Sequence, residues 1–331
     1  MENLKKIIIF VTLLFVMLIF PISLSLSAEK TTLYSALCGF TENDPCYLGY
    51  IKFSELVKEK TLGRICITSI ENSRWNHQQL AEMAATGKLD LCLVHQNTLE
   101  KYNPNIGILS LPFIFDSWEH VWSVLDGEIG KKLFYPLQKD GLKVIGVFNN
   151  DVCNIISSVQ IKNPEDINGL KFLLRPSDTF WETAQILGAQ TVPADNLAIP
   201  NFLQAGKIDA AVLPTADIKN LIKHGAANTT YICENEIYFR VMPLLINLKR
   251  FNSVSQNDQK IILEAAYEAT SWQREKAIDA ELSNTRFLKN NNVHYYRPNR
   301  RIWKAAIIPV YDKHPEWKDI INNSAITQLK K

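Results

Sequence analysis

Residues 164–180 read PEDINGLKFLLRPSDTF, residues 187–196 read LGAQTVPADN and residues 203–214 read LQAGKIDAAVLP. PEDIN starts a turn or short helix, and Gly169 ends it with a backbone freedom that residues carrying a Cβ lack. Leu170 to Leu174 is then an apolar run of strand length. Phe180 to Leu187 carries apolar residues at helical spacing and Gly188 stops it, while Thr191 to Pro193 reads as a further extended piece. Asn201 to Ala205 predicts a short helix ended by Gly206, and Ile208 to Leu213 a buried strand broken by Pro214. Strands alternating with helices imply a parallel, helix-covered sheet, and such sheets bind ligands beyond the carboxyl ends of their strands.

Toward the N-terminus the alternation repeats. TTLYSAL (31–37) is a strand, GFTENDP (39–45) a polar turn, and Tyr47 to Lys60 a helix with Leu48, Ile51, Leu56 and Val57 on its apolar side. ICITSI (65–70) and Leu89 to Val94 are strands on either side of a helix over Gln78 to Thr86. Right-handed crossovers would place Ala36 to Cys38, Glu71 to Trp75 and His95 to Asn97 along one sheet edge. There His95 could meet a ligand or simply close a strand end, and Trp75 could wall an organic ligand or pack between lobes. Asp116 to Lys132 predicts a helix and LKVIGVFN (142–149) a strand leading into the crossing segment NNDVCNIISS (149–158). A return crossing is expected over Tyr238 to Ile246. A long helix follows Phe251, with Ile261, Ile262, Ala265, Ala266, Ala269 and Trp272 on one side. Asn290 to Tyr296 reads as a strand and Arg301 to Tyr311 as a final helix.

Composition bounds the function. A chain of 331 residues that is 47% hydrophobic buries a sizeable core in two lobes. A net charge of +2 gives no pull toward nucleic acid. Lys5 and Lys6, the apolar block Ile7 to Leu24 and the small residues of SLSA (25–28) have the layout of a secretory signal cut after Ser27 or Ala28, with an uncleaved anchor as the alternative. Export into an oxidising compartment favours a Cys38–Cys46 bridge if geometry permits, whereas Cys66 and Cys92 lie in strand-like runs as core thiols. No C-x-x-C occurs, and His77, His95 and His120 lack metal-ligand spacing, so neither a metal nor a cofactor is expected. With no Gly-x-Ser-x-Gly elbow, phosphate-binding glycine loop or His-Glu-x-x-His, no enzyme is expected either.

The ordered strings NPEDINGLKF, LGAQTVP and LQAGKIDA resemble the second lobe of solute-binding proteins of tripartite ATP-independent periplasmic (TRAP) transporters, of the DctP type. TGKLDLCLV (86–94) and ILSLPFIFDSWEHVWSVLDGEIGKKL (108–133) resemble the first lobe, and SQNDQKIILEAAYEATSWQREKA (255–277) the long connecting helix. Together these cover about residues 30 to 320. The resemblance implies a two-lobed α/β periplasmic-binding-protein fold, each lobe a mainly parallel sheet flanked by helices, joined by hinge strands and the long helix. It implies a signal peptide at 1–28, lobe I from 29–150 plus 239–280, and lobe II from 151–238 plus 281–331. The expected function is capture of a small organic solute, as a monomer in the periplasm, and delivery to the membrane subunits of a TRAP permease. A ligand-sensing protein that feeds a membrane receptor is the alternative, with an exported enzyme behind it.

The site departs from the family pattern. Organic-acid binders of this kind hold a carboxylate with an arginine in a motif similar to Gly-Leu-Lys-x-Arg, whose planar donors match two oxygens. Aligned without gaps, GLKFLLRP puts Leu173 at that position, with Arg175 two residues on. A second family arginine falls at Cys153, and the family's Asn-Pro becomes Leu213-Pro214. A wall of Leu173, Leu213 and Cys153 should not accept an acid in the usual pose, because an unpaired buried carboxylate is costly. The expected ligand is more apolar or neutral, or has its charge read by Arg175 or Arg240. Phe180, Trp181, Tyr238 and Phe239 are its candidate aromatic neighbours, or core.

Overall fold

The computed structural model describes residues 30–70, 74–174, 180–193, 199–224, 230–291 and 293–317. Its strands are β1 (Thr31–Ala36), β2 (Ile65–Ser69), β3 (Leu91–Leu93), β4 (Leu142–Ser157), β5 (Lys171–Leu174), β6 (Gln190–Pro193), β7 (Ala210–Pro214), β8 (Tyr231–Asn247) and β9 (His294–Tyr296). The helices are α1 (Pro45–Lys60), α2 (His77–Ala85), α3 (Trp118–Leu125), α4 (Glu128–Phe134), α5 (Phe180–Ile186), α6 (Ile199–Gln204), α7 (Thr215–Lys223), α8 (Leu248–Ser253), α9 (Gln256–Lys289), α10 (Arg300–Ala306) and α11 (Ile308–Asp312).

All nine strands form one sheet in the order β2-β1-β3-β8-β4-β7-β5-β6, with β9 on β8. β1 runs parallel to β2 and β3, and β5 parallel to β6 and β7, as alternating strands and helices require. The long antiparallel strands β4 and β8 run through both halves: β8 takes β3 on one side, and β4 takes β7 on the other. Their ladder is interrupted at Val144/Gly146, Asn149/Asp151 and Cys153/Ile155. Such bulges bend and twist a strand pair, which lets one sheet serve two lobes.

The third interruption is the largest. Cys153 faces Tyr238 while Ile155 faces Cys233, so Glu234 to Ile237 loop out opposite Asn154. Asn154 fills the gap, accepting from the Glu236 N–H at 2.9 Å and donating to Thr215 Oγ1 at 3.1 Å. β8 thus begins at Tyr231 rather than Tyr238. Its acidic residues lie before the run expected from sequence, and Glu234 pairs with Arg297 and Glu236 with Arg300 from the far end of the chain.

The helix expected over Asp116 to Lys132 is divided at Gly127 into α3 and α4. The second piece folds back until a Cβ on Gly130 would sit 1.8 Å from the Leu125 carbonyl oxygen. Helix α9 matches its expected apolar face at Ile262, Ala265, Ala266 and Ala269, and small side chains let it approach closely. Trp272 is only half-buried, whereas Gln273 and Arg274 are buried. Gln273 accepts from the Asn149 N–H at 2.9 Å and donates to its carbonyl at 2.7 Å, completing β4 where its own ladder fails. Arg274 forks onto Asp126 at 2.6 and 2.8 Å and reaches the Val147 carbonyl.

All six cysteines are free thiols. The bridge expected between Cys38 and Cys46 is not formed; Cys46 is buried and donates instead to the Asn149 carbonyl at 3.2 Å. Cys92 is buried as expected, and Cys66 is half-buried.

Candidate ligand cleft

The carboxyl ends of the parallel strands converge on the middle of β4. From the first half come Asp44, which caps α1 by accepting from the Cys46 N–H at 2.7 Å, and His95, just beyond β3. From the second half comes the β7–α7 junction, where the Thr215 hydroxyl donates to the Val152 carbonyl at 3.2 Å. Asn150, at the crossing, lies 3.4 Å from His95 Nδ1, and His77 stands edge-on to the His95 ring at 4.3 Å. Desolvation holds the His77 pKa below its usual value, against the opposing hydrogen bond to Leu93.

The charged centre is an ion pair across the β4–β8 ladder. Asp151 and Arg240 are register partners, and a directly paired couple points to the same side of a sheet. Arg240 Nε donates to Asp151 Oδ1 and Nη2 to Oδ2, both at 2.6 Å, a two-bond fork that fills one complete face of the guanidinium. The side chains remain 26% and 15% exposed, so the pair borders accessible space. Cys153, two residues along the same face, has its Sγ 3.5 Å from Asp151 Oδ1, and burial pushes its thiol well up, with Arg240 pulling the other way. Desolvation and then the charge of Asp151 raise Asp217, in the first turn of α7. Asp44 is raised by burial and by Asp151, against hydrogen bonds from Cys46 and Tyr47.

The other sequence-derived candidates are more scattered. Leu173 and Leu213 are each 2% exposed and belong to an apolar cluster with Ile199, Ile208, Ile218 and Leu288, behind the strand ends. Trp75 and Trp181 are half-buried against the largest apolar cluster. Phe180 is fully buried between Phe172 and Tyr238, and Phe239 packs edge-on against Trp118 at 5.2 Å, so both are core. Arg175 lies outside the described residues, as do Glu71 to Ser73 of the expected cleft edge. Asp151 is the residue that sequence reasoning passed over. Pairing NNDVCNIISS against the return crossing in antiparallel register would have set it opposite Arg240.

On the other side of the crossing strands lies a cavity of about 240 Å³, lined by Trp118, Val152, Phe239, Ile278, Glu281 and Glu234 among others. Desolvation lifts the Glu281 pKa from 4.5 to about 7; Thr215 opposes the shift, while Asp151, Glu234 and Glu236 add to it. A folded-state pKa above the unfolded value means that stability is greatest below about pH 4.5 and falls as pH rises through 7. Glu281→Gln is therefore expected to be more stable than the parent at pH 8 by about 2 kcal/mol, allowing for partial exposure, and no different at pH 4. Urea titrations at the two pH values measure this; an equal difference at both would remove Glu281 as the cause.

Two halves built on parallel strands, crossed by two long antiparallel strands and spanned by one helix, with polar groups gathered at the crossing, define a two-lobed solute-binding protein. Residues 39–316 match the family described as bacterial extracellular solute-binding protein, family 7 (DctP), and the chain belongs to that family. It captures a small organic solute between its lobes and delivers it to a TRAP-type transporter. The 2,3-diketo-L-gulonate-binding periplasmic protein YiaO of Escherichia coli K12 is 26% identical over 71% of either chain. A TRAP periplasmic solute-binding protein of Sulfitobacter sp. NAS-14.1 with bound β-D-galacturonate superimposes with a TM-score of 0.76 at 22% identity, covering 89% of this chain and 99% of that one. One from Shewanella oneidensis with bound succinate gives 0.75 at 20% identity, covering 91% and 100%.

Proposed function

We propose that the captured solute is a small, uncharged organic molecule carrying hydroxyl groups, bound and released unaltered. The reading rests on one observation: the guanidinium at the crossing, Arg240, already has its fork filled by Asp151. Cys153 brings no charge of its own, so a second carboxylate entering here would meet Asp151 beside a guanidinium whose fork is already taken. A neutral solute avoids that repulsion, and its hydroxyls can donate to the lone pairs of Asp151 that Arg240 leaves open.

The site would close between a lobe of residues 29–150 with 239–280 and a lobe of residues 151–238 with 281–331, hinged on β4 and β8. Residues 1–28 would direct export to the periplasm. There the chain would act as a monomer, without catalysis, on the membrane subunits of the permease. Among the described residues no helix is long and apolar enough to cross a membrane.

The test is mass spectrometry of what copurifies with the protein, followed by a thermal-shift screen of neutral sugars and polyols beside D-galacturonate and succinate. A ligand at 100 times its Kd should stabilise the folded chain by about 2.7 kcal/mol, with a drop in the radius of gyration on lobe closure. A neutral solute is expected to produce both signals. If no solute closes the lobes, the capture reading fails.

A further inference from the structure

We infer that Asp151 is a selectivity residue: by occupying the carboxylate-binding face of Arg240 it turns organic acids away from a cleft that would otherwise hold them. This rests on the capture reading above.

The two groups meet through both Asp151 oxygens and two different guanidinium nitrogens. That is the arrangement in which arginine recognises any carboxylate, a solute's included. The resident carboxylate is covalently part of β4, so it competes at a high effective concentration and needs no immobilisation. The pair is not sealed into the core, since both side chains keep accessible surface. Two other arginines near the crossing strands are engaged elsewhere. Arg297 pairs with Glu234, and Arg300 with Glu236 and the carbonyls of Phe115 and Asp116. Asp217 and Asp44 add negative charge toward the same centre, so an incoming anion gains nothing from them. What remains for a ligand is acceptor capacity on Asp151, which suits a donor-rich neutral solute. It also leaves a guanidinium one substitution away from serving an acid.

The experiment measures D-galacturonate and succinate binding by calorimetry on the full mature chain, its Asp151→Asn variant and the Asp151→Asn/Arg240→Gln double variant. Asparagine keeps the side-chain shape, removes the charge and gives up one of the two acceptors that fill the fork. Affinity for one or both acids should rise by about 30-fold or more in the single variant and fall back to the parent value in the double. Thermal melts establish that each variant is folded, and Asp151→Ser serves if the asparagine variant is not. Parent protein that already binds either acid at micromolar concentration, or a folded single variant with no gain, overturns the inference. Scattering on the parent with a neutral solute separates the two ideas. Closure there, with no acid gained at position 151, sinks the selectivity role alone; no closure with any solute sinks the capture reading beneath it.

Discussion

Trp303→Ala is expected to lower the unfolding free energy by about 3–5 kcal/mol, the range for emptying a buried tryptophan site. Trp303 is completely buried in α10 and packs within 6.2 Å of the Phe113 ring. Its indole N–H donates to the Lys162 carbonyl at 3.3 Å. One side chain therefore joins three distant pieces: the C-terminal helix, the LPF turn of the first half and the segment that leads into β5. Phe113 itself has φ +57°, a left-handed conformation unfavourable for a large side chain, and Trp303, whose ring is tilted against it, and Arg300, which lies over its ring, help hold it there. Removing the indole leaves a cavity that none of the three pieces fills alone, and it orphans the Lys162 carbonyl. Urea unfolding at 25 °C measures the loss. Trp303→Phe, which retains most of the ring volume, should recover more than half of it; equal losses in the two variants would assign the effect to the hydrogen bond rather than to packing.

Gly49→Val is expected to cost about 3 kcal/mol although helix propensity favours the substitution. Gly49 lies in α1 where it crosses α9. A Cβ there would stand 2.5 Å from Gln273 Cγ, 2.7 Å from its Cβ and 3.0 Å from the Phe148 ring. Gln273 cannot swing aside cheaply, because its amide is bonded to both the N–H and the carbonyl of Asn149. Relief of the clash therefore either lifts α9 off β4 or leaves buried backbone groups of Asn149 unpaired. Hydrogen exchange separates this from a global loss. The Asn149 amide, protected by Gln273 in the parent, should exchange faster in Gly49→Val than amides in the centre of β1. Uniform acceleration across the sheet would show that the cross-helix contact has no special hold on the hinge.

Much of the fold could be read in order along the chain. Apolar runs of strand length, helices ended by Gly87, Gly188 and Gly206, and the alanine face of α9 are local features, set by period and backbone freedom. The family follows from the same ordered strings, since each records a local strand–turn–helix unit. Harder to read were the elements whose stability comes from far away. The acids of β8 become strand residues only when Arg297 and Arg300 reach them, and Gln273 and Arg274 are buried on a helix whose apolar period excludes them.

For the site, the sequence by itself determined the absence of charge at Cys153 and the presence of a cation at Arg240. Only the tertiary structure decided what that cation does. Asp151 and Arg240 are separated by most of the second half of the sheet, and a one-residue shift of β8 against β4 would turn them to opposite faces. Side-chain direction in a strand pair is set by register, and register here is set by bulges that depend on Asn154 and Gln273, so the pairing belongs to the assembled sheet and not to either segment alone.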